Sequence, residues 1–163
     1  MRLIRKLAYT LTLTGSLFGS IAVAQQPELQ TFGQVEPTQL EGSAEIFSAR
    51  IDTGATTSSI NAQQIQAFKK DGKDYVTFLF PQNNGDTMKM KKEVVRWASI
   101  RQANTSITTL RPVVELEVEI NGETIVAEFS LKDRSHMTYP VLIGRNILAG
   151  RAIVDVSENV PNT

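Results

Sequence analysis

Arg50-Ile51-Asp52-Thr53-Gly54-Ala55 brings an apolar approach into a carboxylate, a hydroxyl and a glycine at a tight turn. A carboxylate there can act as a general base on water if a second carboxylate stands beside it. Two such groups about 3 Å apart cannot both ionise, so they share a proton, one serving as base and the other as acid. The Thr53 hydroxyl is placed to brace the turn, and Gly54 removes the Cβ that would block substrate or a partner loop. Asp and Gly are also ordinary turn residues. On these letters alone the stretch reads as a surface turn or a catalytic loop.

A second stretch lies far downstream, Tyr139-Pro140-Val141-Leu142-Ile143-Gly144-Arg145-Asn146-Ile147-Leu148, an apolar run that meets Gly-Arg-Asn and a further apolar pair. Together the two resemble the retropepsins, aspartic proteases in which Asp-Thr-Gly-Ala opens the site and an apolar Gly-Arg-Asn segment crosses beneath it into a short helix. The chain is more similar still to a bacterial branch of that clan that carries an ATP-dependent zinc protease label. The residues shared with it are Ile51 to Ala55, Arg111-Pro112-Val113, Asp133-Arg134-Ser135-His136-Met137 and Val141 to Arg145, so the likeness runs from about Ser48 to Val156. It implies a mostly β fold, a retropepsin-like closed barrel with one short C-terminal helix. It also implies Asp52 as the catalytic residue, with Thr53, Gly54 and Ala55 supporting the loop. Arg111, Asp133, Arg134, Gly144, Arg145 and Asn146 would support substrate or dimer. In retroviral members a carboxylate that pairs with the arginine follows Asp-Thr-Gly-Ala. Here Thr56 and Thr57 stand in that place, so Asp133 or an acid of a neighbouring subunit is the expected substitute.

The N-terminus has the layout of a secretory signal peptide: Arg2, Arg5 and Lys6, an apolar stretch from Leu7 to Ala24, and Ala22-Val23-Ala24 before Gln25-Gln26. A membrane anchor is the other reading, but the Thr, Ser and Gly residues of the stretch make a poor spanning helix. Cleavage after Ala24 would leave 139 of the 163 residues, one domain by size, exported to the periplasm or beyond. It would also leave 14 of the 17 basic residues against 17 acidic ones. A mildly acidic chain disfavours nucleic acid and anionic membrane surfaces as partners. With no cysteine in the sequence, stability must come from packing.

Residues 25–42, rich in Gln, Glu, Pro and Thr, read as a mobile arm; 43–157 form the domain and 158–163 a loose tail. Phe47 and Ala49 alternate with polar neighbours in a strand that ends at Asp52. Residues Thr56 to Phe68 read as a short strand followed by a turn or helical piece. Tyr75 to Phe80 and Met88 to Arg96 read as two strands joined through Asn84-Gly85, a hairpin that is either a flap over the cleft or a plain surface feature. Val114, Leu116, Val118 and Ile120 alternate with Glu115, Glu117 and Glu119 in a half-buried strand, turned by Asn121-Gly122. The acidic row is a solvated face rather than a cation site.

One Asp-Thr-Gly in a chain too short for two lobes requires a second carboxylate from a homodimer mate, Asp52 opposite Asp52. The substrate would be a peptide or protein, cut at an amide bond. Zinc catalysis wants about three ligands, and this chain has His136 as its one histidine and no His-Glu-x-x-His, so no metal and no cofactor are expected. A phosphate-cradling loop is also missing, and Ser135 beside His136 has no third group to make a nucleophile pair. A non-catalytic module that binds extended peptide, with Asp52 as a turn acid, is the alternative.

Overall fold

The computed structural model describes residues 29–101 and 108–158, which form twelve strands and one short helix. The strands are β1 (Gln30–Phe32), β2 (Val35–Leu40), β3 (Ile46–Ile51), β4 (Ser58–Asn61), β5 (Gln63–Lys70), β6 (Lys73–Pro81), β7 (Thr87–Glu93), β8 (Arg96–Arg101), β9 (Thr108–Ile120), β10 (Glu123–Lys132), β11 (Val141–Ile143) and β12 (Ala152–Val154). The helix α1 (Arg145–Leu148) lies between the last two.

Six strands run in the order β10-β4-β11-β3-β2-β9, and β9 pairs back onto β10, so these six close into a barrel, with β8 added along the first half of β9. Period-2 alternation supplies the interior. Phe47, Ala49 and Ile51 of β3 point inward, as do Val114, Leu116, Val118 and Ile120 of β9, while Glu115, Glu117 and Glu119 face water. Asn121 and Gly122, with φ of 51° and 78°, make the tight turn that returns β9 into β10.

A three-stranded sheet, β5-β6-β7, stands beside the barrel. Its inner residues Val76, Phe78, Phe80 and Met90 join the barrel core, with the Phe80 ring edge-on to Phe47 at 4.9 Å. Each such side chain contributes about 1.5–3 kcal/mol of burial. The segment after β4 that read as a turn or helical piece is instead the full strand β5, and Asp71-Gly72, both at positive φ, turn it into β6. Gln64, at φ 49°, marks a register shift in that strand which breaks its alternation.

One other expectation changes, and the choice between flap and surface hairpin closes. Of the arm assigned to 25–42, Gln30–Phe32 and Val35–Leu40 are strands, and β2 is a barrel stave between β3 and β9. The Asn84-Gly85 turn is not over the cleft: Asn83 bonds the Ile46 carbonyl and the Glu45 carboxylate, and Ser43 bonds Gln82, at the end of β3 opposite Asp52. The proposed signal peptide and residues 159–163 of the tail lie outside the described residues.

Candidate active site

Asp52 follows β3 directly, and its backbone N–H donates to the Ile143 carbonyl at 2.9 Å, tying the chain to β11 as the turn begins. The side chain then organises its own turn. Asp52 Oδ1 accepts the N–H groups of Gly54 (2.9 Å) and Ala55 (3.2 Å), and the Asp52 carbonyl accepts Ala55 N–H a second time. Among the described residues Oδ2 accepts no hydrogen bond, and Thr53 and Gly54 are exposed. One carboxylate oxygen is fixed and the other is available. A Cβ on Gly54 would come within 3.1 Å of Oδ1, so the glycine protects the carboxylate's own geometry rather than only a partner's approach.

The second motif crosses under this turn. β11 runs parallel to β3 and antiparallel to β4, delivering Gly144 where a Cβ would meet Ala55 O at 2.9 Å, Thr57 C at 3.0 Å and Ser58 N at 3.1 Å. These are backbone atoms, so only glycine allows the crossing. Arg145 then grips the turn: its N–H bonds Ala55 O, Nη1 bonds the carbonyls of Thr53 (2.9 Å) and Gly54 (2.8 Å), and Nη2 bonds Thr56 Oγ1 (2.8 Å). Asp133, one of the two expected partners, is exposed and turns to Ser135 instead: the Ser135 side chain first, then its backbone N–H, holds the Asp133 carboxyl below the usual range. Carbonyl groups replace a carboxylate here because the turn already presents two of them to one guanidinium edge. The bracing also comes through Thr53's carbonyl, where its hydroxyl was expected.

Asn146 completes the clamp. Its Oδ1 accepts both Ser58 N–H and Ser58 Oγ–H at 2.8 Å, and its Nδ2 donates to Glu128 O, joining β4 to β10. Ser58 Oγ in turn accepts Gly144 N–H at 2.9 Å. Ser58, Ser59 and Asn61 are buried polar groups, and sequence reasoning gave none of them a role. The signal was present in Ser58-Ser59-Ile60-Asn61, a polar strand just after the Asp-Thr-Gly turn.

Arg134 is buried. Its N–H bonds Asn61 Oδ1 (2.8 Å), Nη1 bonds Ser59 Oγ (2.9 Å), and Nε bonds Tyr139 O (3.2 Å). Burial lowers its pKa, the negative charge of Asp52 opposes that shift, and the charge of Arg111 adds to it. Arg134 thus feels the charges of both Asp52 and Arg111 while its guanidinium is held by Ser59 and Tyr139. Half-buried Arg111 is itself lowered by burial, and Lys132 is lowered by burial and then by both arginines. Arg96, also unassigned from sequence, bridges Glu128 (Nε at 2.7 Å) to Thr57 Oγ1 (Nη2 at 3.0 Å), linking β8 and β10 to the active-site turn. His136 is exposed, and among the described residues no three His, Cys, Asp or Glu side chains gather as a metal-binding group.

A six-stranded barrel with Asp-Thr-Gly in the turn that leaves β3 and Gly-Arg-Asn crossing beneath it defines a retropepsin-like fold. The chain belongs to the family described as RimB-like, retropepsin-like aspartic endopeptidase RimB, whose model matches residues 31–162. It is 33% identical over 116 residues to a probable alpha-L-glutamate ligase of Shewanella halifaxensis, and 34% identical over 113 residues to one of Parasynechococcus marenigrum. These alignments take in 69% and 67% of this chain but only 25% and 24% of the ligases, so the chain spans about a quarter of the relatives' length. The crystal structure of Lpg0085, a Legionella pneumophila protein of unknown function, superposes with a TM-score of 0.65 at 28% identity, covering 79% of this chain and 95% of that one.

Proposed function

We propose that this protein is an exported aspartic endopeptidase that works as a homodimer through a shared-proton pair of Asp52 carboxylates. The observation that carries the reading is the state of Asp52: Oδ1 is held by two backbone N–H groups while the rest of the turn, Thr53 and Gly54, is open to a facing copy. In the dimer one Asp52 is ionised and its mate protonated. The ionised carboxylate takes a proton from water as its oxygen attacks the substrate carbonyl carbon. The protonated carboxyl then gives its proton to the leaving amine nitrogen as the C–N bond breaks.

Arg134 lies within reach of the Asp52 charge, with Arg111 and Lys132 near Arg134, a distribution that favours substrates that carry carboxylates near the scissile amide. A glutamate-rich tail or a cell-wall peptide meets that description, and the similarity to glutamate ligases points the same way. The test is hydrolysis of a mixed peptide library from acidic to neutral pH by the wild-type protein and by Asp52→Asn. Loss of cleavage by at least about 10³-fold in the variant, with its fold intact by circular dichroism, supports the reading. Equal cleavage by both proteins removes Asp52 from the chemistry.

A further inference from the structure

Beside Arg111, a groove of about 390 Å³ runs between the β5 edge of the added sheet and the paired strands β8 and β9. Its walls include Ile65 and Ala67 of β5, Trp97 of β8 and Leu110 of β9, and its charged lining is Arg111, Lys132 and the exposed Asp133. The apolar walls are open to solvent: Leu110 keeps 61% of its surface exposed and Trp97 38%. Exposed apolar side chains on two separate elements that face one groove indicate something that covers them.

The groove is built rather than incidental. The Trp97 indole N–H donates to Asp74 Oδ2 at 3.0 Å, and Asp74 also meets Lys69 at 3.4 Å, so the added sheet fixes the indole plane as a wall. Arg111 and Lys132 both line the groove, and their like charges oppose each other; among the described residues neither is in an ion pair with a carboxylate, Asp133 included. Lys132 pairs with Asn61 at the end of β4, the strand that leaves the Asp52 turn, and Arg134 N–H bonds the Asn61 side chain there. The groove is thus continuous with the proposed catalytic site, and its size is at the small end for a ligand pocket, room for one or two side chains.

We propose that this groove is a specificity subsite that takes an apolar side chain of the substrate, leucine-like or larger, a few residues from the scissile bond and next to a carboxylate-bearing residue that meets Arg111 and Lys132. The substrate is therefore not uniformly acidic. It carries an apolar anchor that Trp97, Leu110 and Ile65 select. This rests on the peptidase reading for its placement but makes a separate demand on binding.

Trp97 is the chain's single tryptophan, so its fluorescence reports occupancy of the groove directly. Protein expressed from the full chain and bearing Asp52→Asn is titrated with blocked octapeptides of Ala and Glu in which one Leu is moved through each position. The control is the same set with Ser in place of Leu. At one position or two, the Leu peptide is expected to bind at least about 10-fold more tightly than its Ser counterpart and to shift Trp97 emission. Leu110→Asp should erase that preference and Leu110→Met should keep it. Equal binding of Leu and Ser peptides at every position overturns the proposal, as does saturable binding that leaves Trp97 emission unmoved, or no binding at all. Cleavage of the same peptides by wild type is read separately. Leu preference without Asp52-dependent cleavage removes the peptidase reading and keeps the groove; cleavage without Leu preference does the reverse.

Discussion

Gly144 sits where two stretches of backbone cross, and it is the residue whose replacement has the least room for accommodation. The atoms its Cβ would strike belong to Ala55, Thr57 and Ser58, in the turn that carries Asp52 and the strand after it. Gly144→Ala should therefore cost about 1–3 kcal/mol in urea unfolding and should lower any Asp52-dependent activity, because the turn is what must move. A loss below about 0.5 kcal/mol would mean that the crossing is looser than these distances. Both glycines of the site were legible as letters in two motifs. The clamp between them was not. Ser58, Ser59, Asn61 and Arg96 matter through partners distant along the chain (Asn146, Arg134, Glu128), and no local pattern announces a hydrogen bond across such separations.

At the scale of elements, β8 is held to the added sheet by the bond between Trp97 and Asp74. That bond is the largest cause of the lowered Asp74 pKa, ahead of the opposing effect of burial and the help of Lys69. A carboxylate depressed by folding contributes its stabilisation in full above its ordinary value, here 3.8, and loses it as the pH falls through the lower folded value. Trp97 emission should accordingly be flat above pH 4 and change below it, and Asp74→Asn should abolish the step. A step that persists in the variant would assign it to another group. Strands β3 and β9 were readable because apolar and polar residues alternate from Phe47 to Ile51 and from Val114 to Ile120. Strand β2 was not, because its buried positions are Glu36, Thr38 and Leu40, and two polar residues on the inner face hide the period. Strand β5 was hidden by the register shift at Gln64, and the Asp71-Gly72 turn that ends it is a hairpin signal that went unread.

For the whole molecule, a site completed by a second copy predicts activity that falls faster than enzyme concentration on dilution, in step with dimer loss seen by sedimentation. A specific activity independent of concentration well below the measured dimer dissociation constant would contradict the paired Asp52 mechanism. If the N-terminal segment is a signal peptide, protein recovered from the periplasm of an expressing cell should begin at Gln25 by mass spectrometry; a chain that still begins at Met1 would contradict export by cleavage. Closure of the barrel was foreseeable only through the likeness of its two motifs to a known family, since the β9–β10 pairing that seals it looks in sequence like any other hairpin.

The first and last described strands lie side by side and run the same way, Gln30 beside Ala152 and Phe32 beside Val154, with Gln30 N–H on Arg151 O and Asp155 N–H on Phe32 O. A pull on the two ends of such a chain drives β1 and β12 past each other in opposite directions, so their hydrogen bonds are loaded together in shear instead of being peeled apart one at a time. The short β1–β12 pair would then act as a mechanical clasp, with the barrel and its active-site turn shielded from tension until the clasp gives way.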